Sequence, residues 1–192
     1  MDEEEMRDHV EMLLYRMQSE EPAKRFTAGV AMALYIGDQS FLPEEMDAHP
    51  AAVLAQVLFK PKTNKEECLN TVRALAIMGP HAAPHASTAL AKMLNSSDYE
   101  LKWDTVRAIR HFGPGAAEGN SGVPEALARA ILEEESPSLR YEAARALEAL
   151  GPGAAPAAAH ALAQAMEEFD SDVQNTSARA LAVMGPAAAF PP

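Results

Sequence analysis

Residues 71–80 read TVRALAIMGP, and the same ten-residue phrase returns as TVRAIRHFGP at 105–114, AARALEALGP at 143–152 and SARALAVMGP at 177–186. The four phrases align without gaps, and each ends in Gly-Pro, at Gly79, Gly113, Gly151 and Gly185. Recurrence at a fixed period outranks any single-element signal, because it marks a repeat architecture. Each phrase reads as the end of a helix: glycine suits the left-handed cap position, and proline cannot continue the helix. Counting back from the glycine, apolar or small residues fall 12, 8, 5, 4 and 1 positions before it, Glu67 of the first unit excepted, one face of a 3.6-residue period. In the third unit these are Leu139, Ala143, Ala146, Leu147 and Leu150. The position five before is always alanine (Ala74, Ala108, Ala146, Ala180), so a neighbouring helix can approach closely there. Fifteen before stand Asn64, Asp98, Ser136 and Asp170, side chains that accept hydrogen bonds from the free amides of a helix start.

Downstream of each of the first three Gly-Pro pairs, a short turn leads to a proline expected at the first position of a second helix: Pro84, Pro124 and Pro156. Leu90 and Leu94, Leu127 and Ile131, and Leu162 and Met166 are expected to point inward from these helices. The insertion in the second unit lies in AAEGNSGVP, a loop composition that tolerates extra length. A helix, turn, helix unit has no core of its own, so only stacking on neighbours buries both apolar faces. The expected fold is an all-α, right-handed α-α superhelix, an α-solenoid of about nine helices. It divides into an acidic capping helix (1–21), a divergent first repeat (22–63) and the regular repeats (64–192), the last lacking its second helix. The cap places Met6, Val10, Leu13, Leu14 and Met17 on one stripe. The first repeat offers FTAGVAMALYIG, with Phe26, Val30, Ala31 and Leu34, and then HPAAVLAQVLF opened by Pro50.

The pattern Val-Arg or Ala-Arg, Ala-Leu, two residues, Gly-Pro-x-Ala-Ala-Pro resembles HEAT repeats, especially the HEAT-like group named after phycobilisome lyases. The resemblance covers residues 64–192. It implies a protein-interaction scaffold or a structural subunit of a larger assembly, without catalysis and without a cofactor. Its runner-up implication is a bilin lyase-type chaperone or lyase subunit. Two enzymes of the same superfamily are tested by their own motifs. Deoxyhypusine hydroxylase places di-iron ligands in His-Glu dipeptides, and this sequence contains none. HEAT-like alkylpurine DNA glycosylases need a basic concave surface for the phosphate backbone. This chain has 28 acidic against 16 basic side chains, a net charge of -12, so no nucleic-acid partner is expected.

Composition agrees with a stack rather than a single thick core. Of the 192 residues 39 are alanine, while six Phe, four Tyr and one Trp supply the large rings. The lone Cys68 excludes an internal disulfide framework and a cysteine zinc site, so a reducing intracellular compartment is expected. That compartment is the cytoplasm by default, or an organelle if a transit peptide was removed. No apolar run approaches the ~18 residues of a membrane span. Residues 1–21 hold eight acidic and two basic side chains, half of the net charge, and read as a solubilising cap or an acidic docking segment.

Several candidate sites follow. Arg73, Arg107, Arg145 and Arg179 stand six before each glycine, opposite the apolar stripe, and should form a row along the outer helices. The row is either solvated charge with i,i+3 pairs, Asp104 to Arg107 and Glu142 to Arg145, or a cationic rail for carboxylates or phosphates. The second helices should expose His85, Thr88 and Lys92, then Glu125 and Arg129, then His160 and Gln164, a mixed polar strip facing a partner. Val173, Leu181 and Met184 of the last helix, lacking a following second helix, are expected as an exposed end contact. They suggest that the chain is a piece of a longer solenoid or is covered by another subunit. Trp103 and Tyr141 share one repeat position and should sit at an inter-repeat seam. His81 and His85 have the i,i+4 spacing of metalloprotease ligands, but Pro84 between them starts a helix, and no metal is expected.

Overall fold

The structure is a computed structural model that describes residues 12, 13, 15, 16, 24, 28, 29, 31, 49–60, 63–167 and 170–189. Helices alternate with short 3₁₀ turns. Helix α1 spans Pro50–Val57, α2 Lys65–Met78, α3 Ala83–Met93, α4 Tyr99–Phe112, α5 Val123–Glu133, α6 Pro137–Leu150, α7 Ala155–Ala165 and α8 Ser171–Met184. The 3₁₀ turns are Gly79–Ala82, Gly113–Ala117, Gly151–Ala154 and Gly185–Ala188. Among the described residues there are thus eight α-helices of eight or more residues, against the expected nine or so in the whole chain. Residues 12, 13, 15, 16, 24, 28, 29 and 31 upstream are also helical. Of the expected cap and first-repeat stripe, Leu13 is buried and Ala31 half-buried; Met6, Val10, Leu14, Met17, Phe26, Val30 and Leu34 lie outside the described residues.

All four expected N-caps form. Asn64 Oδ1 accepts from the Glu67 amide at 2.9 Å, Asp98 Oδ1 from Leu101 at 3.0 Å and Ser136 Oγ from Leu139 at 3.4 Å. Asp170 Oδ1 accepts from both Asp172 and Val173, at 3.0 and 3.1 Å. Each satisfies donors that the first helical turn leaves without a carbonyl. The helix ends differ from expectation. Gly79, Gly113, Gly151 and Gly185 have φ of 58, 62, 68 and 56° with ψ of -138, -148, -149 and -139°. This is not the left-handed helical well, but a region that only glycine enters at low cost. It sends the chain directly into the 3₁₀ turn. Two of the turns, Gly79–Ala82 and Gly151–Ala154, continue directly into the second helix, and a loop at 118–122 separates the turn Gly113–Ala117 from its own; in all three units Pro84, Pro124 and Pro156 stand at the second helical position rather than the first. An amide there has no intrahelical acceptor either, so proline remains harmless.

Two layers result. First helices α2, α4, α6 and α8 pack side by side, and second helices α1, α3, α5 and α7 form the other layer. All five stripe positions are buried in α2, α4 and α6. The buried face is wider than those five, because Val72, Val106 and Ala144, seven before each glycine, are fully buried as well. A first helix touches first helices beside it and a second helix behind it, so it needs more than one stripe. The second helices stack in register: HPAAVLAQVLF at 49–59 lies beside HASTALAKMLN at 85–95, with His49 against His85. Leu90, Leu94, Leu127, Ile131 and Leu162 are buried as expected. Met166 is not, being 43% exposed at the end of α7, the last described second helix, with no further second helix beside it. The 3₁₀ turns stack too: a methyl at Gly153 would meet Ala117 Cβ at 3.3 Å, and one at Gly115 would meet Ala83 Cβ, at the start of α3, at 3.2 Å.

Candidate functional site

The outer face of the first-helix layer is laced by ion pairs that run between repeats. Arg73 Nε donates to Asp104 Oδ2 at 2.7 Å and its Nη2 to Glu100 Oε1 at 3.1 Å. Arg110 Nη1 donates to Glu142 Oε2 at 2.9 Å, and Arg179 Nη2 to both Glu148 oxygens at 2.7 and 2.9 Å. Lys65 bridges Asp98 and Glu100, and Lys102 pairs with Glu134. The Lys65 ammonium, with the Leu101 amide, holds the Asp98 carboxyl below its ordinary pKa; Asp98 and Glu100 raise that of Lys65.

Of the two expected i,i+3 pairs, Glu142 to Arg145 forms, at 3.7 Å, while Asp104 to Arg107 is corrected. Asp104 serves Arg73 of the preceding helix rather than Arg107. Glu142 is engaged chiefly by Arg110, with Arg145 Nη1 left at 3.7 Å from its other oxygen. The cause is burial: Asp104 and Glu142, nine before their glycines, face the neighbouring first helix, where a carboxylate needs a cation from across the seam. Arg145 also lies over the Tyr141 ring, 5.7 Å from its centroid. Arg107 is exposed with no ion pair among the described residues. Of the arginine row, Arg73 and Arg179 are therefore inter-repeat staples. Trp103 and Tyr141 are half-buried against the core as expected, with Tyr99 stacked on Trp103 at 6.0 Å.

On the second-helix face, His85, Thr88, Lys92, Glu125, Arg129, His160 and Gln164 are all exposed, as expected. Two of them reach across successive seams. Lys92 Nζ sits over the Phe59 ring at 4.5 Å, and Arg129 Nη2 donates to Asn95 Oδ1 at 3.2 Å. In the stacked register Phe59 and Asn95 occupy the same place, just past the end of a second helix, and Lys92 and Arg129 reach back to it. A shallow cleft of about 210 Å³ opens between the ends of α3 and α5, lined by Asn95, Lys102, Arg129, Glu133 and Glu134 among others. Sequence reasoning found Lys92 and Arg129 but not Phe59 or Asn95, which lie beyond the helix ends and outside its repeating stripe.

The expected exposed end contact is corrected. Val173 is 0% and Met184 1% exposed, and Leu181 is half-buried. The stripe of α8 faces α6 and α7 and is covered by them; the exposed apolar group of α8 is Val183, 48% exposed. No group of three or more His, Cys, Asp or Glu among the described residues could hold a metal ion. His81 and His85 instead gather with His49, whose Nδ1 accepts from the Ala51 amide at 3.1 Å. Cys68 is half-buried, which pushes its thiol pKa up, and neighbouring Glu67 adds to the effect. No helix of the described residues is long and apolar enough to cross a membrane.

Comparison with known proteins places this geometry. The family model for HEAT repeats matches residues 86–182. No curated protein matches the chain in sequence. A crystal structure of an engineered protein from the Northeast Structural Genomics Consortium is 25% identical, with a TM-score of 0.67, over 91% of this chain and 78% of that one. A second engineered protein from the same source is 20% identical with a TM-score of 0.67, over 95% and 81%. Computationally designed armadillo repeat proteins for modular peptide recognition share the fold at 18% identity and a TM-score of 0.62, over 90% and 81%. The match spans half of the chain and includes the phrases ending at Pro114 and Pro152, and the chain belongs to the HEAT-repeat family.

Proposed function

We propose that the chain is a non-catalytic scaffold whose second-helix face takes an acidic segment of a protein partner. One observation carries the reading: two cations on the second-helix face are held by groups that leave their charge in place. On the first-helix face Arg73, Arg110, Arg179 and Lys65 are matched to carboxylates, so their charge serves the stack, while Arg145 lies on a ring and Arg107 has no ion pair among the described residues. Lys92 and Arg129 stand on neighbouring second helices against a ring and an amide, neither of which cancels charge. Two cations at successive repeats that form no ion pair among the described residues, beside an exposed Phe59, offer an extended chain one anchor per repeat. Arginine and aromatic groups are the side chains that interfaces favour, and a guanidinium can grip a carboxylate bidentately. His85, His160 and Gln164 extend the strip on either side.

Affinity capture followed by mass spectrometry tests this. A Lys92→Glu/Arg129→Glu bait is expected to lose the partners that the unaltered chain retains, while keeping its helical circular dichroism. Retention of the same partners by a folded double variant contradicts the assignment.

A further inference from the structure

The imidazole group at the start of the second-helix layer joins two helices by a ring stack. His49 is the N-cap of α1: its Nδ1 accepts from the Ala51 amide at 3.1 Å, so this nitrogen must carry a lone pair. Its ring lies on that of His85 in α3, with centroids 4.0 Å apart and planes 13° from parallel. The ring is half-buried. The same helix is held to α3 at its other end by Phe59 under Lys92. Helix α1 is only eight residues long, too short to persist without packing.

We propose that His49 is an acid-sensitive latch: protonation of Nδ1 removes the cap of α1, sets a cation against the stacked His85 ring, and releases α1 from α3. Every described group whose charge reaches His49 acts in the same direction. From α3 it is His85, and from the turn Gly79–Ala82 it is His81. Helix α1 itself has no ionisable side chain, and none from α2 contributes. Burial first, then His85 and His81, depress the His49 pKa from 6.5 to about 4 while the latch is closed. Once open, the imidazole regains its ordinary affinity for a proton. The closed form is therefore fully favoured above pH 6.5 and loses ground as pH falls from 6.5 towards 4. Release of α1 uncovers the side of α3 against which α1 packs. The latch does not rest on the partner reading above.

Hydrogen exchange of the full chain, read as the protection of α1 peptides relative to α7 peptides, measures the latch independently of global unfolding. Between pH 6.5 and 4 that ratio is expected to fall by up to about two orders of magnitude, the equivalent of the pKa difference. In His49→Asn, which keeps a capping oxygen but cannot titrate, the ratio should stay level. In His85→Gln, which removes the stacked charge but leaves His49, the fall should shrink. A level ratio in the unaltered chain, or an undiminished fall in His49→Asn, overturns the proposal. If His49→Asn leaves α1 unprotected at every pH, His85→Gln decides, and an unchanged fall in it overturns the proposal.

Discussion

At Gly113 the backbone takes φ of 62° and ψ of -148°, and a methyl group added there would meet nothing within 4 Å. The position therefore isolates conformational strain from crowding. Gly113→Ala is expected to cost about 1–3 kcal/mol, the range for a side chain forced into this region, measured by urea unfolding. A cost near zero would mean that the turn relaxes and that the glycine is not what sets the helix end. Residue-scale features were the most legible ones. The N-caps at Asn64, Asp98, Ser136 and Asp170 follow from local chemistry alone, because their acceptors reach amides two or three residues ahead. The value of ψ at the glycines was not legible, since Gly-Pro is equally compatible with a left-handed cap and with the more extended turn that is found. What distinguishes them is the stacking of the 3₁₀ turns through Gly115 and Gly153, a contact between repeats.

Between elements, apolar spacing was readable and charge pairing was not. The stripe of α6 follows from periodicity, and each of its five members is buried. Ala146 is fully buried where helices approach, so Ala146→Leu is expected to destabilise by about 1–3 kcal/mol through overpacking. The exposed Ala182 of α8 is the control, and should tolerate Leu with little change. Electrostatic partners depend on which side chains meet across a seam, and a helical wheel contains no such information. Hence Asp104 looked like the partner of Arg107 but serves Arg73. The Arg110–Glu142 pair should be the most consequential of these, because the Glu142 residue is buried. Arg110→Met alone is expected to cost about 1–3 kcal/mol by leaving that carboxylate without its main donor. Adding Glu142→Met should recover much of the loss, and thermal unfolding of the double-mutant cycle checks this. Strict additivity of the two single changes would show that the pair is not coupled.

Over the whole molecule, repetition made the fold legible, because each unit restates the same constraints and four coincident registers leave little freedom. The distribution of function between the faces was less legible. The sequence places a row of arginines six before each glycine and a mixed strip on the second helices, and nothing in their spacing says which row is occupied internally. Only the layered geometry separates Arg73 and Arg179, bound to carboxylates of neighbouring helices, from Lys92 and Arg129, which are not. The last helix teaches the same lesson, since its stripe of Val173 and Met184 is used up within the stack. The most direct measurement sets two baits side by side in quantitative affinity capture: Lys92→Glu/Arg129→Glu on the second-helix face, and Arg73→Gln/Arg107→Gln/Arg145→Gln/Arg179→Gln on the first. The second-helix variant should lose the partner at unchanged fold, while the arginine variant keeps it and unfolds at lower temperature. Loss of the partner from the folded arginine variant, with full retention by the second-helix variant, would contradict the account.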